Sequence, residues 1–447
     1  MKIKQNIVRS CFVTLLAIGL SRCESDNTQT PTQTPADITS IVTLGGSKNE
    51  SAQSVVSTPD GGFAVLGYTQ SMDGDILNKS NESFNYWLVK FDASGNQQWQ
   101  KNYGGSNDDR GQCIIATNDG GYAILGSSKS SDGDASSNAG YNDFWVLKLT
   151  STGEILWEKS FGYSGADNAF SIAQTTDGGY ILSGVLDVTA SNGEGNNRLM
   201  QRHAGGDYWI LKLSPSGDML WSRYFGGTFT DTAYDAIESS DGSILVVGSS
   251  DSNDTDVNNN KGSYDFWVLK LSAHGELMWE KSYGGSEIDE ARAISKTSDG
   301  NFIIVGDTRS NDQDVSQNNG AADIWVLKIN SNGAILWGKN YGGAGFDGVQ
   351  SIHKTQNDAY IIAGNSRSND GNLTQNNGQN DAWIFKINTT GELQWQTTVG
   401  GTQVDLLTDV TTLSNGTIIA VGKTNSNDLD VSQNKGFDDA LIINLSE

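Results

Sequence analysis

Acidic and amide side chains alternate through one stretch of the chain, Asp254 to Asp265. It reads Asp-x-Asp-x-Asn-x-Asn-x-Gly-x-x-Asp, with oxygen-bearing side chains at positions one, three, five, seven and twelve. Because Ca²⁺ takes about six to eight hard oxygen ligands, this spacing predicts a calcium site. The stretch recurs along the chain, and the predicted metal-binding carboxylates are Asp132, Asp134, Asp143, Asp254, Asp256, Asp265, Asp312, Asp314, Asp323, Asp370, Asp381, Asp428, Asp430 and Asp439.

The stretch differs from an EF-hand loop in three ways. Position six is not Gly, position twelve is Asp rather than Glu, and strand-like sequence flanks it on both sides. Asp and Asn also fold loops by accepting hydrogen bonds from nearby backbone N–H groups. The sequence therefore leaves two interpretations open: a calcium site, or an Asx-rich loop folded on its own backbone.

A second acid recurs five residues after the first glycine of a Gly-Gly pair (Gly162-Tyr163 in one copy). Such an acid caps its own loop by accepting backbone hydrogen bonds. If the repeats close into a ring, the same carboxylates also form a cation-attracting rim around the channel mouth. They are Glu50, Asp109, Asp167, Asp231, Asp289, Asp347 and Asp405.

One copy of the Asx-rich stretch, Thr189 to Gly206, is six residues longer than the others. The extra residues bring three basic side chains into acidic surroundings, and we expect these to contact a partner; a tolerated insertion is the alternative. They are Arg198, Arg202 and His203.

Signals for catalysis are few. The chain has three histidines and lacks a nucleophile elbow, an HExxH motif and a phosphate loop. Cys113 aligns with small residues in the other copies, so we expect a packed side chain rather than a reactive thiol. Those residues are Ser54, Ser171, Ala236, Ala293 and Ser351.

The tryptophans define the repeat. All twelve fall into pairs twelve residues apart, and successive pairs are 58 residues apart, except for one step of 64. Each period contains four strand-like runs, here named A to D, and the A–B turn is Asx-Gly in most copies, a hairpin signal. The sequence predicts an all-β, seven-bladed β-propeller with four antiparallel strands per blade and the Trp pairs packed between blades.

The two ends of the repeat region complement each other. Ile38 to Gly46 aligns with strand D of the other copies, whereas the last copy stops after its strand C, Leu441 to Leu445. We therefore expect the N-terminal strand to complete the last blade and close a propeller of residues 37–447, which leaves no open sheet edge.

Residues 1–22 are predicted to be a targeting segment, because three basic residues precede an apolar run too short to span a bilayer. The run ends at Leu20-Ser-Arg-Cys23, which resembles the lipobox of bacterial lipoproteins. The resemblance implies a lipid anchor on Cys23 and an outer-membrane location in the cell envelope. Arg22 departs from the small residue that the family prefers, so a plain secretory signal is the alternative. Residues 23–36 are polar and rich in Thr, Pro and Gln, as expected of a tether.

Asp177 to Gly184 and Asp207 to Gly217 resemble the roughly sixty-residue propeller repeats of exported proteins and lipoproteins of Bacteroidota. The resemblance supports the fold and implies no particular activity. Thr152 to Trp157 is similar to the turn of quinone-dehydrogenase propellers, but only over one hairpin, so a quinone cofactor is disfavoured.

The charge excludes nucleic acid as a partner. Without residues 1–22, which hold four basic residues and no acid, the net charge is −28. We expect a monomeric, non-enzymatic binding or scaffold lipoprotein that touches the membrane only through its lipid. It would present an acidic, calcium-binding face to a protein or glycan. The alternative is a glycan- or polymer-acting enzyme that uses the channel-mouth carboxylates as acid and base.

Overall fold

The structure is a computed structural model that describes residues 36–195 and 205–447. Within these residues, twenty-eight strands form seven separate four-stranded antiparallel sheets, which is the predicted seven-bladed β-propeller. The predicted targeting segment, Cys23 and nearly all of the tether lie outside the described residues, as do Arg198, Arg202 and His203. No helix in the described ranges is long and apolar enough to cross a membrane.

The strands follow one another in the order A to D within each blade. Blade 1 contains β2 (Glu50–Ser57), β3 (Phe63–Thr69), β4 (Asn85–Phe91) and β5 (Gln97–Tyr103). Blade 2 contains β6 (Asp109–Ala116), β7 (Tyr122–Ser128), β8 (Asp143–Leu149) and β9 (Ile155–Phe161). Blade 3 contains β10 (Asn168–Gln174), β11 (Tyr180–Asp187), β12 (Gly206–Leu213) and β13 (Met219–Phe225).

The second half of the ring repeats this order. Blade 4 contains β14 (Asp231–Glu238), β15 (Ile244–Ser250), β16 (Asp265–Leu271) and β17 (Leu277–Tyr283). Blade 5 contains β18 (Asp289–Lys296), β19 (Phe302–Thr308), β20 (Asp323–Ile329) and β21 (Ile335–Tyr341). Blade 6 contains β22 (Asp347–Lys354), β23 (Tyr360–Ser366), β24 (Asp381–Ile387) and β25 (Leu393–Val399). Blade 7 contains β26 (Asp405–Thr412), β27 (Ile418–Thr424), β28 (Asp439–Ser446) and the first strand of the chain, β1 (Asp37–Leu44).

The ends of the chain close the ring. β1 pairs antiparallel with β28 from Asp37 opposite Ser446 to Leu44 opposite Ala440, and so supplies strand D of blade 7. This confirms the predicted closure. The β1 backbone satisfies an edge of β28 that would otherwise be open to pairing with another molecule.

The hydrophobic core lies between blades rather than within them. Phe144 and Val146 of blade 2 pack with Leu182 and Trp209 of blade 3, all fully or almost fully buried, and comparable clusters fill the other junctions. The A strands of neighbouring blades contact one another around the central axis. Each blade therefore covers the apolar face of the next, since one sheet alone cannot bury its own face.

Aromatic side chains link consecutive blades in the same way at four junctions. The residue before the first Trp of one blade lies against the first Trp of the next, with ring centroids 4.6–4.7 Å apart. The pairs are Tyr86–Trp145, Phe144–Trp209, Tyr208–Trp267 and Phe266–Trp325. Burial of one such ring, on the order of 200 Å², stabilises a junction by a few kcal/mol as an upper estimate.

The two members of a Trp pair differ in burial. Trp267 on β16 is 0% exposed, and its indole N–H donates to Glu280 Oε2 at 3.0 Å. Trp279, on the outermost strand β17, is only half-buried. The first Trp of each pair is therefore core, as predicted. The second was also predicted to be core, but it is only partly buried in blades 1 to 5 and is buried in blade 6, where Trp395 is 7% exposed.

Buried lysines on strand C fix the A–B turns. Lys148 Nζ lies 2.9 Å from Asp119 Oδ2, in the Asp-Gly-Gly turn. Burial opposes ionisation of Asp119, but hydrogen bonds from Thr117 and Lys148 lower its pKa to about 2. The same ion pair recurs as Lys90–Asp60, Lys212–Asp177, Lys270–Asp241 and Lys328–Asp299. The turn acid thus pairs with a buried lysine, a role that its turn propensity did not predict.

The difference in Trp burial gives a direct test. We expect Trp267→Ala to lower the free energy of unfolding by about 3–5 kcal/mol, because it leaves a cavity between blades 3 and 4. Trp279→Ala is the matched control and loses less, since its ring is already partly in water. Urea unfolding followed by circular dichroism measures both, and equal losses would contradict the assignment of the core to the first Trp.

Candidate functional site

The B–C and D–A loops lie together on one face, here called the loop face. The backbone joins them across blades: Asp289 N–H donates to Tyr264 O at 2.7 Å, and Asp109 N–H donates to Phe84 O at 2.7 Å. In each case the start of strand A is joined to the residue before strand C of the preceding blade. The A–B and C–D turns form the opposite face.

The acids that follow the Gly-Gly pairs are fully buried. Glu50, Asp109, Asp167, Asp231, Asp289, Asp347 and Asp405 are each 0% exposed. In Asp289, Oδ2 accepts the Gly285 N–H at 2.7 Å and the Ser310 hydroxyl at 2.8 Å, while Oδ1 accepts the Thr308 hydroxyl. This geometry is that of a loop cap. An acid held in this way does not present its charge as an exposed cation-attracting rim.

The acids at positions one and three of the Asx-rich loop bind the preceding D–A loop. Asp312 Oδ1 accepts the Ser286 N–H at 2.8 Å, and Asp314 Oδ2 accepts the Gly284 N–H at 3.2 Å. The residue between the two acids adopts a left-handed conformation, with φ of 55° at Gln313 and 66° at the equivalent Gly371. Glycine adopts this conformation without strain, which accounts for its presence there in three copies.

Other polar positions of the loop are also occupied by local hydrogen bonds. Asn260 Nδ2 donates to Ser250 O and Ser252 O, both at 3.0 Å, and its Oδ1 accepts the Gly262 N–H at 3.1 Å. Val257, at position four, is 1% exposed and anchors the loop. The amide at position seven therefore folds the loop on its own backbone.

The acid at position twelve faces the D–A loop that follows it in the chain, not the preceding one. Asp265 Oδ2 accepts the Lys261 N–H at 2.7 Å, whereas Oδ1 is buried and has no hydrogen-bond partner among the described residues. A Cβ placed on Gly284 would lie 2.4 Å from Asp265 Oδ1 and 2.6 Å from Asp289 Oδ2, so the two oxygens lie within about 5 Å of each other. The equivalent unpartnered oxygens belong to Asp143, Asp323, Asp381 and Asp439.

Blade 1 has an amide at this position. A Cβ on Gly104 would lie 2.6 Å from Asp109 Oδ2 and 2.8 Å from Asn85 Nδ2, so an N–H donor faces the acid. Asn is the neutral isostere of a protonated Asp. The substitution shows that the position accepts a neutral side chain, which Asp265 becomes when it is protonated. Burial, with the nearby Asp289 and Asp314 charges, raises the pKa of Asp265 to about 7, although Lys261 opposes the shift.

The metal ligands predicted for one loop do not converge. Positions one and three face the preceding D–A loop and position twelve faces the following one. Within residues 36–195 and 205–447, no three His, Cys, Asp or Glu side chains gather in a way that could hold a metal ion. The carboxylates of one loop therefore do not converge on one point in this arrangement, and calcium binding by the Asx-rich loops stays a prediction.

The blades differ from one another at the channel mouth. Each strand A contains a β-bulge three residues after its buried acid, so that this side chain leaves the regular alternation. The bulged residues are Gln53, Gln112, Phe170, Tyr234, Arg292, Gln350 and Thr408. An alignment of the repeats on the acid shows this variation, but no repeated motif marks these residues in the sequence.

Aromatic and cationic side chains occupy this mouth. The Phe170 and Tyr234 ring centroids are 5.1 Å apart, and the Arg292 guanidinium lies 4.4 Å from the Tyr234 ring. Arg110 lies 4.1 Å from the Phe84 ring and 5.3 Å from the Tyr68 ring. Such contacts hold cationic side chains in place beside the channel.

Two further acids lie deeper in the channel. Asp409 accepts the Ser54 hydroxyl at 2.9 Å and the Ser351 hydroxyl at 2.6 Å, which links blade 7 to blades 1 and 6. Asp235 occupies the equivalent position in blade 4, because it lies opposite Val247 as Cys113 lies opposite Leu125. Cys113 and Asp235 each lie four residues after the buried acid of their blade, so the alignment of Cys113 with Ala236 was wrong by one residue. Burial raises the pKa of the Cys113 thiol to about 12.

The paired carboxyls predict a pH dependence. The folded pKa of Asp265 lies above its ordinary value of 3.8, so the folded protein keeps a proton that the unfolded chain loses. The contribution of this group to stability is complete below about pH 4 and is lost as the pH rises to about 7. We expect Asp265→Asn to match the wild type at pH 4 and to be more stable by about 1–3 kcal/mol at pH 8.

The control for this experiment is Asp289→Asn, which puts an amide donor where three donors already point. It should lose stability at both pH values. Thermal and urea unfolding at pH 4 and pH 8 would compare the two variants. A loss of stability in Asp265→Asn at pH 8, equal to that of Asp289→Asn, would contradict the raised pKa of Asp265.

No protein-family model matches the chain. Regulatory protein FlaEY of Caulobacter vibrioides is 26% identical over 162 residues, which are 33% of this chain and 15% of that protein, so the match spans a small part of its length. The WD40 domain of Neurospora crassa Pan2 is similar with a TM-score of 0.48 and 10% identity over 93% of this chain and 96% of that one. The β-propeller domain of the Trilobed protease from Pyrococcus furiosus is similar with a TM-score of 0.44 and 10% identity over 92% of this chain and 94% of that one.

Proposed function

We propose that the protein is a non-catalytic binding module of the cell envelope whose partner binds the channel mouth on the loop face. The observation that carries the proposal is the contrast between positions within strand A. The acid that starts the strand is buried in all seven blades, whereas the bulged residue three positions later ranges from Gln to Phe, Tyr, Arg and Thr. A symmetric framework with an asymmetric mouth suits recognition of one particular ligand.

The burial and the hydrogen bonds of the channel-mouth carboxylates support binding over catalysis. The enzyme alternative requires channel-mouth acids that can exchange protons with a substrate. The acids predicted for that role are 0% exposed and accept hydrogen bonds from their own loops, such as Gly343 N–H to Asp347 Oδ2 at 2.8 Å. Their near-equivalent surroundings also lack the unlike pair of environments that acid–base catalysis uses.

The location in the envelope is part of the proposal. It rests on the apolar run and the lipobox-like Leu20 to Cys23, which lie outside the described residues. Cys23 would carry the lipid, and the polar residues up to 36 would separate the propeller from the membrane. A glycan or protein of the envelope is the partner that this placement offers.

A blocking experiment tests which face binds. Two exposed residues are replaced by Cys and labelled with a polyethylene-glycol maleimide. Gln350→Cys lies at the channel mouth, and Ser240→Cys lies in an A–B turn of the opposite face. The raised pKa of Cys113 protects it from the label. Binding to immobilised envelope glycans and proteins of the source bacterium should be lost only with the label at residue 350.

Two outcomes would contradict the proposal. Loss of binding only with the label at residue 240 would move the site to the opposite face. Recovery of the bound glycan in cleaved form would favour the enzyme alternative.

Calcium is tested separately by thermal unfolding of the purified protein in EDTA, in millimolar Ca²⁺ and in millimolar Mg²⁺. A ligand of the native state raises stability as RT ln(1 + [L]/Kd). If the Asx-rich loops bind calcium, the unfolding temperature rises in Ca²⁺ and not in Mg²⁺. An unchanged temperature would make these loops purely structural, as their hydrogen bonds suggest.

A further inference from the structure

A polar cavity of about 290 Å³ lies at the channel mouth between blades 2 and 3. Its walls come from the variable positions of strand A and from the ends of the B–C and D–A loops. They include Arg110, Gln112, Lys129, Asn142, Asn168 and Phe170. The volume is close to the lower end of the ~300–1,000 Å³ range of small-ligand pockets, so the cavity has room for one ring-sized group.

The charge of the cavity is opposite to that of the protein. Arg110 lies on the Phe84 ring, and Lys129 Nζ lies 3.1 Å from the Tyr141 hydroxyl and 4.2 Å from the Tyr141 ring centre. Among the described residues, no carboxylate lies within 4.0 Å of either cation. One acid, Asp108, lines the cavity, and its Oδ1 accepts the Phe84 N–H at 3.2 Å. Two cations therefore face one carboxylate, and one oxygen of that carboxylate already accepts a backbone hydrogen bond.

Several other cations of the loop face are neutralised by acids. Arg292 Nη2 lies 3.1 Å from Glu290 Oε2, and its Nε lies 3.8 Å from Asp307 Oδ2. Lys423 Nζ lies 2.8 Å from Asp438 Oδ2. In a chain with a net charge of −28 after residue 22, a cavity with two unpaired cations is a local site for an anion.

The uncharged side chains of the cavity indicate the kind of molecule to which the anionic group belongs. Phe170 supplies an aromatic wall, supported by Tyr234 at 5.1 Å. Gln112, Asn142 and Asn168 supply amide donors and acceptors, and the Asn142 amide already donates to Asn168 Oδ1 at 2.9 Å. An apolar ring face beside paired donors and acceptors matches a sugar ring with its hydroxyl groups. Arg110 and Lys129 match a carboxylate on that ring.

We propose that this cavity binds an acidic saccharide, a sugar ring that bears a carboxylate, as one residue of an anionic glycan. A carboxylate is favoured over a phosphate for two reasons. The cationic donors are side chains rather than a nest of backbone N–H groups, and the Asp108 charge opposes a dianion more than a monoanion. The proposal deepens the binding function proposed above and rests on it.

The test is isothermal titration of the purified protein with trisaccharides of galacturonate, glucuronate and mannuronate. The matching neutral trisaccharides and a phosphorylated sugar serve as comparison ligands. At least one uronate should bind, and its neutral counterpart should bind at least tenfold more weakly. Arg110→Gln and Lys129→Gln should each weaken uronate binding about tenfold and leave the unfolding temperature unchanged, because Arg110 is exposed and Lys129 is only half-buried.

The matched control is Arg309→Gln, a cation on the same face that lies 5.7 Å from the Phe346 ring in the mouth of blades 5 and 6. It should leave uronate affinity within twofold. The proposal is overturned if no uronate binds, if the phosphorylated sugar binds tenfold tighter than any uronate, or if Arg110→Gln changes nothing. If the label at residue 350 blocks binding of a partner but Arg110→Gln does not weaken it, this inference is wrong and the proposed function still holds.

Discussion

No blade of this protein can bury its own hydrophobic face, and the rest of the structure follows from that constraint. A four-stranded sheet has two faces and no interior. The apolar residues of strands A to C are therefore buried only where they pack against a neighbouring blade. The Tyr208–Trp267 contact, with centroids 4.6 Å apart, is one such junction. The last blade must then meet the first. β1 makes that possible because it pairs with β28 and ties the ring at both chain ends.

The same constraint decides where the blades are free to differ. Residues that face a neighbouring blade must keep their size, as the fully buried Trp267 and Trp325 show. The bulged position of strand A faces the channel instead, so neither Tyr234 nor Arg292 has to match a repeat. Because the bulge re-aims the side chain out of the sheet, it makes the mouth the place where a specific ligand contact can arise without cost to the junctions.

The acids on the loop face hold its loops together. Asp312 and Asp314 accept backbone N–H groups, and Asp289 caps its own loop. These bonds hold the D–A loop of one blade to the B–C loop of the next. Asp265 then lies close to Asp289 with no hydrogen-bond partner for one oxygen, and its burial there raises its pKa to about 7. Beneath a surface of high negative charge, burial thus raises the pKa of such carboxyls.

The sequence alone was enough for the fold class, the seven blades, the closure and the burial of the first Trp of each pair. These features are periodic or local: the 58-residue spacing, the alternation within strands and the Asx-Gly turns all lie within one repeat. The direction of each Asp side chain was decided by tertiary contacts instead. Ser286 meets Asp312 across 26 residues and Gly284 meets Asp314 across 30, so the acids of one loop divide between two neighbours. The bulge that turns Tyr234 and Arg292 out of the regular alternation is likewise a property of strand register, which hydrophobic periodicity does not encode.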